Sequence, residues 1–229
     1  MLMVAQLVNR ATAVCAVSAD YLDMYNAQGS VFHLGIGGDQ RKFGVGDDFK
    51  KVPGSRVLLY MGGSSSAPFI KKLINNWHQA AEDYHLVITG SAEWIKKLQS
   101  SPEKRLWVYP GSVPGNHLLA QVDIGLVTPD LRLYTRIPFK VYGHLKMGHA
   151  ILSNIQSGEL ERWINDQSLG HTFDSSLHGF WDALSRIDSS PQRQNAIMHW
   201  AQQHLAVEDI YAQYAEHALS MIKLRDKRA

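Results

Sequence analysis

Cysteine is almost absent. Cys15 is the one cysteine in 229 residues, so no disulfide can close within the chain. It falls in the apolar run Ala13–Val17 and reads as a small buried hydrophobe. Long apolar runs are missing too: none approaches the ~20 residues that cross a bilayer. The opening stretch is too short, and meets Arg10 too early, for a secretory signal. These absences read as a cytoplasmic protein. Charge of one sign is scarce. A net charge of +2 is too small to build a nucleic-acid surface. The densest basic stretch, Lys223, Arg225, Lys227 and Arg228, reads first as a solvated helix end, and is compatible with weak peripheral attraction to an anionic inner membrane face. Several signatures are also missing. There is no GxGxxG and no P-loop, and the 11 histidines show neither HExxH spacing nor a cysteine partner, so no metal site is expected. No serine sits in a GxSxG setting.

What is present is alternation. Short apolar runs end in Gly or Pro and helical patterns follow them. Arg56–Met61 meets Gly62 and Gly63, and Pro68–Asp83 then carries apolar residues at helical spacing (Phe69, Ile70, Leu73, Ile74, Trp77, Ala80). His85–Thr89 is stopped by Gly90, with Ser91 as an N-cap for a helix over Ala92–Ser100. Leu106–Tyr109 is stopped by Pro110-Gly111. Ile124–Val127 ends at Thr128-Pro129-Asp130, and Phe139–Met147 reads as a helix closed by Gly148. Ala150–Leu152 and His171–Phe173 follow as strands. Helices over Ser175–Ile187 and Pro191–Arg225, the latter broken near Ala206-Val207, end the chain. Repeated strand–helix–strand units require right-handed crossovers and a parallel sheet covered on both faces: an α/β, Rossmann-like fold. In such a sheet a ligand binds beyond the carboxyl ends of the strands.

That rule directs attention to a few residues. Gly62 and Gly63 suit a phosphate turn, with Ser64 supplying a hydroxyl, although an ordinary strand-to-helix turn needs the same glycines. Arg132, Arg136 and Lys140 recur every four residues beyond the fourth strand. A cationic cluster there suits a diphosphate, and a solvated basic face is the simpler reading of the spacing alone. His144 and His149 flank Gly148 and read as packing or surface histidines. Trp77, Trp94, Trp163 and Trp181 fall on apolar helical positions and read as core.

The ordered pattern resembles the GT-B glycosyltransferases, in particular their group 1, family 4-like members. The carriers are AVCAVS at 13–18, HLGIGGD at 33–39, RVLLYMGG at 56–63 and HLVITG at 85–90. They continue with LWVYPGSVPGNHLLAQVDIGLVTP at 106–129, PFKVYGHLKMG at 138–148 and a closing helix over Trp200–Tyr214. The resemblance implies that 1–38 is the remnant of an N-terminal acceptor domain and 39–55 a linker. It makes 56–190 the domain that binds a nucleotide-sugar donor, and 191–229 helices that pack back on the remnant. It implies diphosphate contacts from Gly62, Gly63, Ser64, Arg136 and Lys140. A nucleobase and ribose loop would comprise Gly90, Gly111, Ser112, Val113, Gly143 and His144, and the sugar-side crevice would be bordered by Thr128 and Pro129. Ser153 and Asn154 would lie near the far end of the nucleotide. The donor would be a nucleoside diphosphate sugar, with UDP or GDP as the base-bearing half and no further cofactor. Where the family commonly carries Glu, this sequence has Gly143, with Thr135 eight residues earlier, so the E-x7-E pair is absent and His144 is the nearest substitute. The acceptor site, its catalytic base and any acceptor-domain subunit would lie elsewhere. The alternative is a non-catalytic nucleotide-binding or structural module of the same fold. A dinucleotide oxidoreductase is disfavoured by the lack of GxGxxG and of an acidic residue ending the second strand.

Overall fold

The computed structural model describes residues 15–16, 30–31, 45–62, 67–96, 98, 103–111, 114–129 and 137–226. Two short strands, β1 (Cys15–Ala16) and β2 (Ser30–Val31), pair in parallel. The main sheet has six strands: β3 (Arg56–Met61), β4 (Tyr84–Gly90), β5 (Leu106–Pro110), β6 (Ile124–Val127), β7 (Ala150–Ser153) and β8 (Gly170–Thr172). Their order is β5-β4-β3-β6-β7-β8 and every pairing is parallel. The chain therefore winds outward from β3 to one edge, crosses back, and winds outward again from β6. The reversal lies between β3 and β6, where a doubly wound sheet opens its ligand crevice.

Eight helices surround the sheet among the described residues: α1 (Ala67–Asn75), α2 (Ala92–Lys96), α3 (Asn116–Leu119), α4 (Phe139–Lys146), α5 (Gly158–Asp166), α6 (Leu177–Arg186), α7 (Pro191–Leu205) and α8 (Val207–Asp226). Alternate strand residues serve opposite faces, as the pleat demands. Leu58, Tyr60, Leu86 and Ile88 join Ile70, Leu73 and Trp94 in one cluster. Val57, Leu59 and Val87 join Phe49, Leu118 and Val122 in another. Both faces are dry, which is why these strands read as continuous apolar runs. Each fully buried large side chain contributes about 1.5–3 kcal/mol.

The first helix is shorter than its periodicity suggests. It ends at Asn75, and Asn76 turns the chain: its Nδ2 donates to Lys72 O at 2.8 Å and its Oδ1 accepts from Gln79 Nε2 at 3.0 Å. A 3-10 turn, Trp77–Gln79, follows. The apolar spacing ran through the break because Trp77 still points inward, fully buried, with its ring 5.8 Å from that of Trp181. The break between α7 and α8 falls at Ala206, where the sequence placed it. Cys15 and the closing basic residues Lys227 and Arg228 lie outside what the structure describes of side chains.

The amino end of the sheet is tied by one carboxylate. Asp123, just before β6, is buried. Its Oδ2 accepts from Val57 N at 2.7 Å, and both oxygens meet Lys51 Nζ, at 2.7 Å for Oδ1 and 2.6 Å for Oδ2. Gln194 Nε2 of α7 donates to Oδ1 at 3.0 Å. One side chain thus joins the segment before β3, the sheet, and the long helix behind it. Replacing Asp123 by Ala strands a half-buried ammonium and a buried N–H. The expected cost is about 2–4 kcal/mol, read as a lower urea midpoint with unchanged slope. Asp123→Asn, which keeps an acceptor for Val57 N, is expected to lose less.

Candidate functional site

Three glycines end three adjacent strands. Gly62 N donates to Thr89 O at 3.0 Å and Gly111 N to Gly90 O at 2.6 Å, so Gly62, Gly90 and Gly111 form a continuous backbone step along the carboxyl ends of β3, β4 and β5. Side chains are excluded here. A Cβ on Gly90 would lie 2.6 Å from Gly62 O and against the Trp94 ring, and one on Gly62 would strike the Tyr60 hydroxyl. Gly111 adopts φ +144, and a Cβ there would meet Val45 Cγ1 at 2.3 Å.

Lys140 stands across the reversal point, in the first turn of α4. Its Nζ donates to Met61 O at 2.5 Å and lies 4.9 Å from the centre of the Tyr60 ring. None of the ion pairs among the described residues includes it. Burial pushes its ammonium down to about 8. On the β6 side, Thr128 and Asn154 are buried. Asn154 Nδ2 donates to Pro129 O at 3.4 Å and to Ser175 Oγ at 3.0 Å, joining the ends of β6, β7 and β8. Ser153 Oγ donates to Val127 O at 3.0 Å and accepts from Ile155 N at 3.1 Å. Ser175 has φ +66, a left-handed conformation unusual for serine. The structure therefore gathers Gly62, Gly90, Gly111, Thr128, Pro129 and Lys140 at the carboxyl ends of the sheet. Gly63, Ser64, Ser112, Val113, Arg132 and Arg136 lie outside the described residues. Tyr60, beneath Lys140, was not singled out in the sequence, since a tyrosine inside an apolar run looks like core.

His144 does not face this crevice. Its ring is fully buried on β6, where a Cβ on Gly125 would lie 2.3 Å from it. This burial favours the packing reading of His144 and His149 over a role for His144 in place of the missing Glu. Gly143 is exposed on α4, and a Cβ there would meet nothing within 4 Å. The two histidines form a directed relay. His149 Nε2 lies 3.0 Å from Leu119 O, a carbonyl, so Nε2 carries the proton and donates. Neutral His149 then accepts at Nδ1, and His144 Nδ1, 3.0 Å away, must donate. Each ring is thereby neutral, and His144 Nε2 is left buried as a bare lone pair.

No protein-family model matches this chain, and no curated protein does. Solved structures do. Anabaena HepE in complex with UDP and glucose is similar over 96% of this chain and 66% of that one, at 16% identity and a TM-score of 0.69. The fold is that of the GT-B glycosyltransferases. AviGT4, a glycosyltransferase involved in avilamycin A biosynthesis, matches over 88% of this chain and 61% of its own, at 13% identity and a TM-score of 0.55. The spinosyn rhamnosyltransferase SpnG matches over 82% and 52%, at 14% identity and a TM-score of 0.54. At such identities the likeness is one of fold, and the chain spans about two thirds of the length of HepE.

The histidine relay makes a pH prediction. Burial, the neighbouring imidazole and Lys140 push His144 well below its ordinary range, and burial pushes His149 down to about 4. A folded value below the unfolded one of about 6.5 means that the unfolded chain takes up protons first as pH falls. The relay's stability is complete above about pH 6.5 and is lost as pH falls toward 4, by up to about 1.4 kcal/mol per pH unit for each ring. Urea midpoints between these limits are expected to fall less steeply for His149→Gln than for the unaltered chain; parallel profiles would sink the relay.

Proposed function

We propose that this chain is the donor-binding part of a glycosyltransferase, holding a nucleoside diphosphate sugar, with UDP or GDP as the nucleotide, in the crevice between β3 and β6. The observation that carries the reading is Lys140: a largely buried ammonium at the reversal point of a doubly wound sheet, held by one carbonyl and an aromatic face, with no carboxylate ion pair among the described residues. An anion is its natural complement. The glycine step opposite leaves backbone, not side chains, facing the ligand, which suits a phosphate and a flat base. The fold likeness supports the ligand class, since HepE has been crystallised with UDP and with UDP-glucose.

Transfer breaks the bond between the anomeric carbon and the diphosphate oxygen and makes one to an acceptor oxygen. Lys140 would stabilise charge gathering on the departing diphosphate, and Thr128 and Pro129 would border the sugar; Arg136 is the second cation that the family resemblance assigns to the diphosphate. The rest of the chemistry is orientation. The acceptor and its base would come from a second domain or subunit. No described helix is long and apolar enough to cross a membrane. The basic tail would allow weak peripheral contact with an anionic membrane face.

Thermal unfolding with UDP, GDP, ADP, TDP and NAD tests this reading. A nucleoside diphosphate at about 100 times its dissociation constant is expected to stabilise the chain by about 2.7 kcal/mol, and Lys140→Ala to lose most of that gain. Silence with every diphosphate would favour a non-catalytic module of the same fold.

A further inference from the structure

We infer, resting on the diphosphate reading above, that this crevice binds its nucleotide together with a proton, and that Lys140 is the group that takes the proton up. The geometry is that of a cation held in an environment built only in part for one. Nζ can donate three hydrogen bonds, and among the described residues it makes one, to Met61 O. The other contact is the face of Tyr60, which is itself fully buried against Trp94, with ring centres 5.6 Å apart. From β3 the groups that face Nζ are the Tyr60 phenol ring and the Met61 carbonyl. β6 carries no titratable side chain from Ile124 to Val127. One turn along α4 stands His144, with His149 behind it, and the relay keeps both uncharged. Nothing described supplies a negative charge in contact with the ammonium.

Burial with so little compensation lowers the ammonium to about 8. Above that pH the empty crevice gives its proton up, Nζ remaining as an amine that still donates to Met61 O. A diphosphate brings the missing negative charge, and the site with ligand keeps its proton to higher pH. Linkage is reciprocal: if the proton strengthens binding, binding must strengthen hold on the proton. The step balances simply. One proton moves from solvent to Nζ, no covalent bond to the nucleotide forms, and none breaks. The crevice therefore selects its ligand by charge, and its affinity declines through the mildly alkaline range where the nucleotide's own phosphates no longer change.

Titration calorimetry tests this with UDP, GDP, ADP and TDP as probes, on the unaltered chain and on Lys140→Arg. A guanidinium stays charged throughout, so ionisation of the ligand, and of any other group common to both proteins, cancels in the ratio of their affinities. The unaltered chain is expected to lose about tenfold in affinity relative to Lys140→Arg between about pH 7 and pH 9. Should the arginine protein fold or bind poorly, the unaltered chain alone decides. At about pH 8.5, in two buffers of different ionisation enthalpy, its binding heats are expected to differ by the uptake of between about half and one proton. Binding that Lys140→Ala weakens, with a flat affinity ratio and no proton uptake, overturns this inference and leaves the diphosphate reading standing. Binding of none of the four nucleotides at pH 7, or binding indifferent to Lys140→Ala, overturns both.

Discussion

A parallel sheet buried on both faces leaves polar chemistry only two places to go: the amino and carboxyl ends of its strands. Everything distinctive in this protein follows from how those two ends are treated. The amino end is closed. Asp123 gathers Lys51, Val57 N and Gln194 around one carboxylate, so the segment before β3 and the helix behind the sheet are held to the same point. At the carboxyl end Gly62, Gly90 and Gly111 present backbone, and the nearest described charge is Lys140, in no ion pair among the described residues. The amino-end carboxylate is neutralised by Lys51, so the electrostatic sense of the crevice comes from Lys140 at the carboxyl end, and it suits an anion.

The interior carries a second, less expected device. Two histidines occupy a place where aliphatic packing would be cheaper, and Gly125 makes the room. Their relay runs from α4 through His149 to Leu119 O at the end of α3. It fixes α4 in height and rotation against β6, one turn from Lys140. His144, whose place in the ligand loop was an expectation of the family resemblance, helps to set where the helix bearing the cation stands. Val141 and Leu145, both fully buried, do the same by packing.

The sheet was legible in the sequence because burial on both faces produces continuous apolar runs, and the chain can leave such a run only through residues that tolerate a tight turn. Hence Gly62, Gly90, Pro110-Gly111 and Pro129 mark the strand ends correctly. Lys140 was legible because its distance beyond the fourth strand fixes it near the reversal point. The Asn76 turn was not, since Trp77 keeps the helical apolar spacing after the helix has ended. Nor was Asp123: its partners stand 66 to 72 residues away, a separation at which sequence spacing carries no geometric information. The burial of His144 was hidden for a related reason. A histidine looks alike in sequence whether its ring faces solvent or core, and the deciding residue, Gly125, is on another element.

The absence of a carboxylate at Gly143 does not by itself empty the crevice. Burial lowers the Lys140 ammonium to about 8, an unfavourable desolvation on the order of 3 kcal/mol. In the proposed reading, that cost is carried by the fold without ligand and would be relieved by an arriving diphosphate. An acidic side chain placed permanently beside Nζ would relieve it in the empty site and so leave less to be gained on binding. A site of the proposed kind would trade stability of the free protein for attraction to an anion, a trade that functional sites commonly make with a buried charge.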